Sequence, residues 1–244
     1  MSEAIDSNPS PLDCSRGAAR MRAGVRSLFT VLAAVLALSA CGESTNSDES
    51  TKVNGSIEVP AGRQASAVAT VNGSIQIDDN AAITSATTVN GNVHLGNHAT
   101  ATSLNSVNGS IILGTGAHVY GSASSVNGEL NLKDGAEISG SLSNVNGKIT
   151  LTAAHVAGGI KTVDGSMNII GASHVENGIL VEKPSSELLQ MVREAPRIVI
   201  GPGATVRGDL RFERKVQLYV SDKATIGTVT GATAIAFSGE SPPN

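Results

Sequence analysis

Tryptophan is absent from this 244-residue chain, and aromatic residues make up only 2% of it. Globular domains of this size rely on Phe, Tyr and Trp for core volume. A core built without them must be thin and filled by Val, Ile, Leu and Ala. Cationic residues are scarce as well. Lys and Arg number 17 against 21 Asp and Glu, a net charge of −4, which argues against nucleic acid as the main partner. The apolar run 28–38 is too short to cross a bilayer comfortably, so it reads as a secretory signal rather than a spanning helix. What the chain does have is glycine, 27 residues of it, and an apolar content of 40% that excludes disorder throughout.

The signal begins with Arg22 and Arg26 and closes on Leu38-Ser39-Ala40-Cys41-Gly42. That ending resembles the bacterial lipobox, and the resemblance implies that the Cys41 thiol is lipidated and becomes the mature N-terminus. Residues 1–40 are then leader and signal peptide. Met21 would start a signal of usual length, which leaves 1–20 as either a misassigned start or an unusually long leader. Gly42, where retention at the inner membrane uses Asp, implies the outer membrane. Cys14 leaves with the leader, so the exported chain holds no disulfide. Residues 41–51 are the lipidated cysteine and a polar tether, whose ten residues after Cys41 span on the order of 18 Å as a coil.

One phrase recurs. Val-Asn-Gly opens at Val53, Val71, Val89, Val107, Val126 and Val145, and a seventh copy, Val163-Asp164-Gly165, differs in one residue. The intervals are 18, 18, 18, 19, 19 and 18. Within them, apolar anchors stand six apart, as in Val71, Ile77, Ile83, Val89, Leu95, Ala101, Val107, Leu113 and Val119, and later Val145, Leu151, Ala157 and Val163. A helix needs a spacing near 3.6 and a half-buried strand a spacing of two. A period of six tripled to eighteen specifies an all-β, three-sided β-solenoid of about nine rungs, of either hand, forming a rod of roughly 40 Å. The two extra residues fall in the third side of a rung, after Val119 and after Ile138.

In this reading the Val of each phrase points inward and Asn-Gly turns the corner. Asn tolerates the left-handed backbone region, and Gly enters it freely. Stacking aligns Asn54, Asn72, Asn90, Asn108, Asn127, Asn146 and Asp164 into a corner ladder. Thr70, Thr88, Ser106, Ser125 and Thr162 are expected to face outward. The repeat domain spans 52–181. An insertion, 182–196, follows, in which Ser185 or Ser186 would cap a short helix carrying Leu188, Leu189 and Val192, with Pro196 as its stop. Terminal coils run over 197–237, and a disordered tail over 238–244.

The stretches "IVIGPGATVRGDLRF" and "VQLYVSDKATIGTVTG" resemble coils of the bactofilins, bacterial β-helical proteins that polymerise end to end. The repeated "TVNGSI" is similar to adhesin-type β-solenoid domains of exported bacterial proteins. Neither family implies catalytic residues. The hexad anchors also resemble those of left-handed β-helix acyltransferases, whose acyl donor is cytoplasmic, whereas this chain carries an export signal.

Chemistry is sparse. His94, His98, His118, His155 and His174 read as exposed single histidines. Their offsets place His98 beside His118 and His155 beside His174, with no carboxylate or cysteine joining either pair, so neither metal nor cofactor is expected. Arg193, Arg197, Arg207, Arg211, Arg214 and Lys215 form a cluster, interspersed with acids, that would meet an anionic surface if one side presented it. The chain is therefore expected to be no enzyme. The leading expectation is a lipid-anchored structural protein of the cell envelope, at the outer membrane and self-associating through its ends. The alternative is an adhesin-like module that offers one solenoid face to an envelope glycan or protein.

Overall fold

The computed structural model describes residues 50–184 and 194–243. These residues form a β-solenoid. Every strand pairing is parallel, no described residue is helical, and the stack makes ten turns. One side of the prism is a ten-stranded sheet of short strands such as β4 (Ile75–Ile77), β6 (Val93–Leu95) and β8 (Ile111–Leu113). The other two sides share a sixteen-stranded sheet. Ten turns replace the nine expected because the last strand, β26 (Ala234–Phe237), carries no Val-Asn-Gly phrase and begins a turn it does not complete. At the strand spacing of ~4.8 Å, ten stacked strands make a rod of roughly 43 Å.

The interior is as thin as the composition requires. On side one each of the first nine turns buries two large residues, such as Ile75 with Ile77 and Ile111 with Leu113. Side two buries a small residue and an anchor, such as Ala117 with Val119. Alternation places the intervening residues outside.

Side three departs from expectation. Its inward residues are Val68 and Thr70, then Ala86 and Thr88, then Leu104 and Ser106, all at most 2% exposed. The Val of each phrase lies outside the core, half-buried at Val71, Val89 and Val107 and exposed at Val53. The hydroxyl column expected outside is thus inside. The reason is a hydrogen bond: Thr70 and Thr88 Oγ1 donate to Gly55 O and Gly73 O at 3.0 Å, and Ser106 and Ser125 Oγ to Gly91 O and Gly109 O at 3.3 and 3.1 Å. The turn below presents a carbonyl to the interior at this corner, and a buried carbonyl demands a donor. Asn144 Nδ2 performs the same role toward Gly128 O at 3.0 Å.

The corner glycines also serve a purpose other than the expected one. The four inner glycines, Gly73, Gly91, Gly109 and Gly128, do not take positive φ; only Gly55 (109°) and Gly147 (134°) do. A Cβ on any of the inner four would stand 1.9–2.2 Å from the carbonyl oxygen of the corner beneath. Glycine is required there by close approach of stacked backbones.

Changes in turn length fall at corners. Strands β3 (Gln64–Asn72), β5 (Ala82–Asn90) and β7 (Thr100–Asn108) run through the bend between sides two and three. From the next turn one residue is added there, and β9 (His118–Val119) and β10 (Ala123–Asn127) separate, both pairing with β7. Two turns later a residue is lost at the preceding corner, where Ala153 adopts φ 46°. That loss makes Val156, fully buried, the anchor in place of the half-buried Ala157. After β19 (Ile179–Val181) the 182–196 insertion leaves the corner between sides three and one, and β20 (Arg197–Ile200) resumes on β17 (Met167–Ile170). The expected helix at Leu188, Leu189 and Val192 lies outside the described residues. The tail folds back far enough for Arg197 Nη2 to donate to Pro243 O at 3.0 Å.

Two substitutions rank these contacts. Gly109→Ala places a methyl against Gly91 O and is expected to cost about 2 kcal/mol or more. Thr88→Val leaves the Gly73 carbonyl without its donor and is expected to cost about 1–2 kcal/mol. Urea midpoints of the two variants check the order; a neutral Gly109→Ala would show that the corners are not in contact.

Candidate functional site

The densest group of reactive side chains lies on the outer face of side two. Strands β9, β12 (Glu137–Ile138), β15 (His155–Val156), β18 (His174–Val175) and β21 (Thr205–Val206) stack there in parallel. Each turns one residue inward, Val119, Ile138, Val156, Val175 or Val206, so the preceding residue faces solvent. The register therefore builds a column of His118, Glu137, His155, His174 and Thr205.

His155 sits between two carboxylates. Its Nδ1 is 3.6 Å from Glu137 Oε1 and its Nε2 is 3.7 Å from Glu176 Oε1. Arg207 Nη1 reaches both oxygens of Glu176, at 3.3 and 3.1 Å. The His174 ring stands edge-on to His155, centroids 6.5 Å apart. Glu137, His155, His174 and Glu176 rim a shallow open depression of about 390 Å³ floored by Ala136 and Ala154. This corrects the expectation that no carboxylate joins these histidines. His98 and His118, also expected as neighbours, are separated: His98 is a corner residue with φ 55°, and His118 pairs with Thr100 in the strand below.

At the column's lower end His118 Nε2 lies 2.9 Å from Ser139 Oγ, with the Tyr120 ring tilted 45° to the imidazole at a centroid distance of 4.2 Å. A serine nucleophile also needs donors for the developing oxyanion. The nearby N–H groups of Gly121 and Gly140 are already given to Thr102 O and Gly121 O, both at 2.9 Å. This pair therefore lacks the second half of an acyl-transfer site. Among the described residues no group of three or more His, Cys, Asp or Glu has metal-holding geometry.

The corner column forms a continuous amide ladder. Each Asn Nδ2 donates to the Oδ1 one turn below: Asn72 to Asn54 at 3.0 Å, Asn90 to Asn72 at 2.9 Å, Asn108 to Asn90 and Asn127 to Asn108 at 3.0 Å, and Asn146 to Asn127 at 3.5 Å. Asp164 stands at the seventh position. Its carboxylate is paired with Arg214, whose Nη1 also donates to Val163 O at 3.2 Å. Both side chains are buried, 6% and 9% exposed. Arg214 belongs to a turn beyond the insertion and spans the corner the insertion leaves.

The cationic cluster does not assemble on one face. Arg197 is on side one, its guanidinium 4.8 Å over the Tyr219 ring. Arg207 pairs with Glu176 beside side two, Arg211 with Glu213 at 2.9 Å on side three, and Arg214 is buried at the corner. Lys215 is exposed. Arg193 and Cys41 lie outside the described residues.

Comparison of the chain with protein-family models, with curated proteins and with solved structures returns no match.

Removing one partner of the buried pair leaves an uncompensated charge. Asp164→Asn is expected to lower unfolding free energy by roughly 3–5 kcal/mol, and the double variant with Arg214→Met to recover most of that loss. Equal midpoints for both variants in urea unfolding would show that the pair is not a unit.

Proposed function

We propose that this chain is an exported, lipid-anchored structural rod of the bacterial cell envelope that associates with a second copy through its C-terminal end. The observation that carries the reading is the unlike finish of the two ends. In the first described turn, Lys52 of β1 (Ser50–Asn54) occupies the register position that buried Thr70 occupies one turn on. Its Nζ donates to Ser56 O at 2.8 Å across that end of the stack. An inward-register charge on an edge strand discourages further pairing. Among the described residues the last turn has no such device. Ala234 and Ala236 continue the inward positions of Leu218 and Val220 yet are exposed, and Ile235 is 48% exposed. Apolar interior and unpaired strand edge are both open to a partner at this end. Two C-terminal ends meeting about a two-fold axis make an antiparallel, self-complementary joint that closes after two copies. The lipobox resemblance puts the anchor at Cys41, next to the end that Lys52 blocks, so the open end points away from the membrane. That arrangement suits a spacer or tether at the outer membrane.

A second reading, a side-face binding module, is favoured by the Glu137–His155–Glu176–Arg207 row. Its mixed charges and shallow depression suit a polar envelope glycan or protein.

The chain from Gly42 onward is expected to sediment as a dimer at micromolar concentration, and Ile235→Lys to render it monomeric. A wild-type chain that stays monomeric would overturn the assembly reading and leave the side face as the working surface.

A further inference from the structure

We propose that Asn146 is a site of intramolecular deamidation, the one rung of the corner ladder at which asparagine is free to convert to aspartate or isoaspartate. The reaction needs no enzyme. The backbone nitrogen of residue i+1 loses its proton to solvent base and attacks the asparagine Cγ. A new C–N bond closes a succinimide ring as the Cγ–Nδ2 bond breaks and ammonia leaves. Water then opens the ring at either carbonyl, so that asparagine and water become aspartate or isoaspartate and ammonia. Glycine at i+1 favours closure because no side chain hinders the attack. Every corner of the ladder has that sequence, so each is chemically competent in an unfolded chain.

The fold holds the nucleophile at five of the six corners and the electrophile from both sides at four of those five. The nucleophile is held because the glycine N–H donates to the next turn's Asn carbonyl: Gly55 to Asn72 at 2.9 Å, Gly73 to Asn90 and Gly109 to Asn127 at 3.0 Å, Gly91 to Asn108 and Gly128 to Asn146 at 3.1 Å. The electrophile is held by the amide ladder, which engages Asn72, Asn90, Asn108 and Asn127 from above and below.

Both restraints lapse at Asn146. The position above it is Asp164, which has no amide N–H₂ to offer, so no described residue donates to Asn146 Oδ1. Its single ladder bond, 3.5 Å to Asn127, is the longest in the column and at the limit of the interaction. The backbone changes as well. No described acceptor takes the Gly147 N–H, and Gly147 adopts φ 134°. The Asp of the seventh copy thus frees the side chain and the nitrogen that attacks it at the same residue. Outside the ladder, the remaining Asn-Gly, Asn177-Gly178, keeps its side chain tied to Ala157 O at 2.8 Å.

Conversion has a structural consequence. A carboxylate at 146 cannot donate to Asn127 Oδ1, so the ladder shortens by one. The new anion also stands one turn from Asp164 and competes for Arg214. Isoaspartate adds a backbone carbon at a corner where a Cβ on Gly147 would already meet Gly128 O at 2.2 Å.

The test is peptide mass mapping of the full chain during incubation at mildly alkaline pH, folded and in parallel in urea. In the folded chain Asn146 is expected to gain the deamidation mass several-fold faster than Asn72, Asn90, Asn108 and Asn127. In urea the rates of all five should converge. The double variant Asp164→Asn/Arg214→Met, which restores an amide above Asn146, should slow that site while leaving the other four unchanged. Conversion of Asn146 at or below the rate of those four in the folded chain would overturn the proposal.

Discussion

The structure depends on one contact: the backbone of each corner lying directly on the carbonyl of the corner beneath. At that separation no Cβ fits, so the corner residue must be glycine. The carbonyl is then enclosed, so the inward residue three places before the glycine must carry a donor, which Thr70, Thr88, Ser106, Ser125 and Asn144 supply. The asparagines stack because the glycines beside them do, and their amides then find each other at hydrogen-bond distance. Three columns of unlike chemistry follow from one steric requirement.

The same requirement explains where the repeat bends its own rule. A residue is gained beyond Val119 and lost at Ala153, both at corners, where chain can be added without moving a strand out of register. The insertion is the extreme case, and its cost to the stack is visible. The turn it leaves contributes no rung to the amide ladder, and Arg214 reaches across to a carboxylate instead. From the turn it leaves onward the inward column turns apolar, with Val181 before the insertion and Phe212 after it taking the hydroxyl positions.

Much of this was legible before any coordinates. A period of six tripled to eighteen fixes a three-sided solenoid, and the phrase itself marks one corner. The side-chain directions at that corner were not legible. Valine is more apolar than threonine, so transfer energy alone puts Val71 inside and Thr70 outside. What reverses them is a carbonyl whose burial becomes apparent only when turns are stacked. The His–Glu row was hidden for a different reason. Counted from the opening Val, Glu137 and His174 share an offset of eleven while His155 stands at ten. The missing residue near Ala153 brings His155 into line with both. Counting from the buried anchors Ile138, Val156 and Val175 would have found the row. The arginines failed to converge because neighbours in sequence sit on successive sides of a coil.

The most direct test of the account is the register of the stack, read by engineered disulfides in a chain whose Cys14 and Cys41 are serine. Thr87 and Asn105 are partners one turn apart. Their Cα separation of ~4.8 Å falls within the range that a disulfide bridges. Cysteines at 87 and 105 should oxidise to near completion under mild conditions, and cysteines at 87 and 103, two residues out of register, should not. Equal yields from the two pairs, or a preference for 87 with 103, would contradict the stacked corners on which the rest of the structure is built.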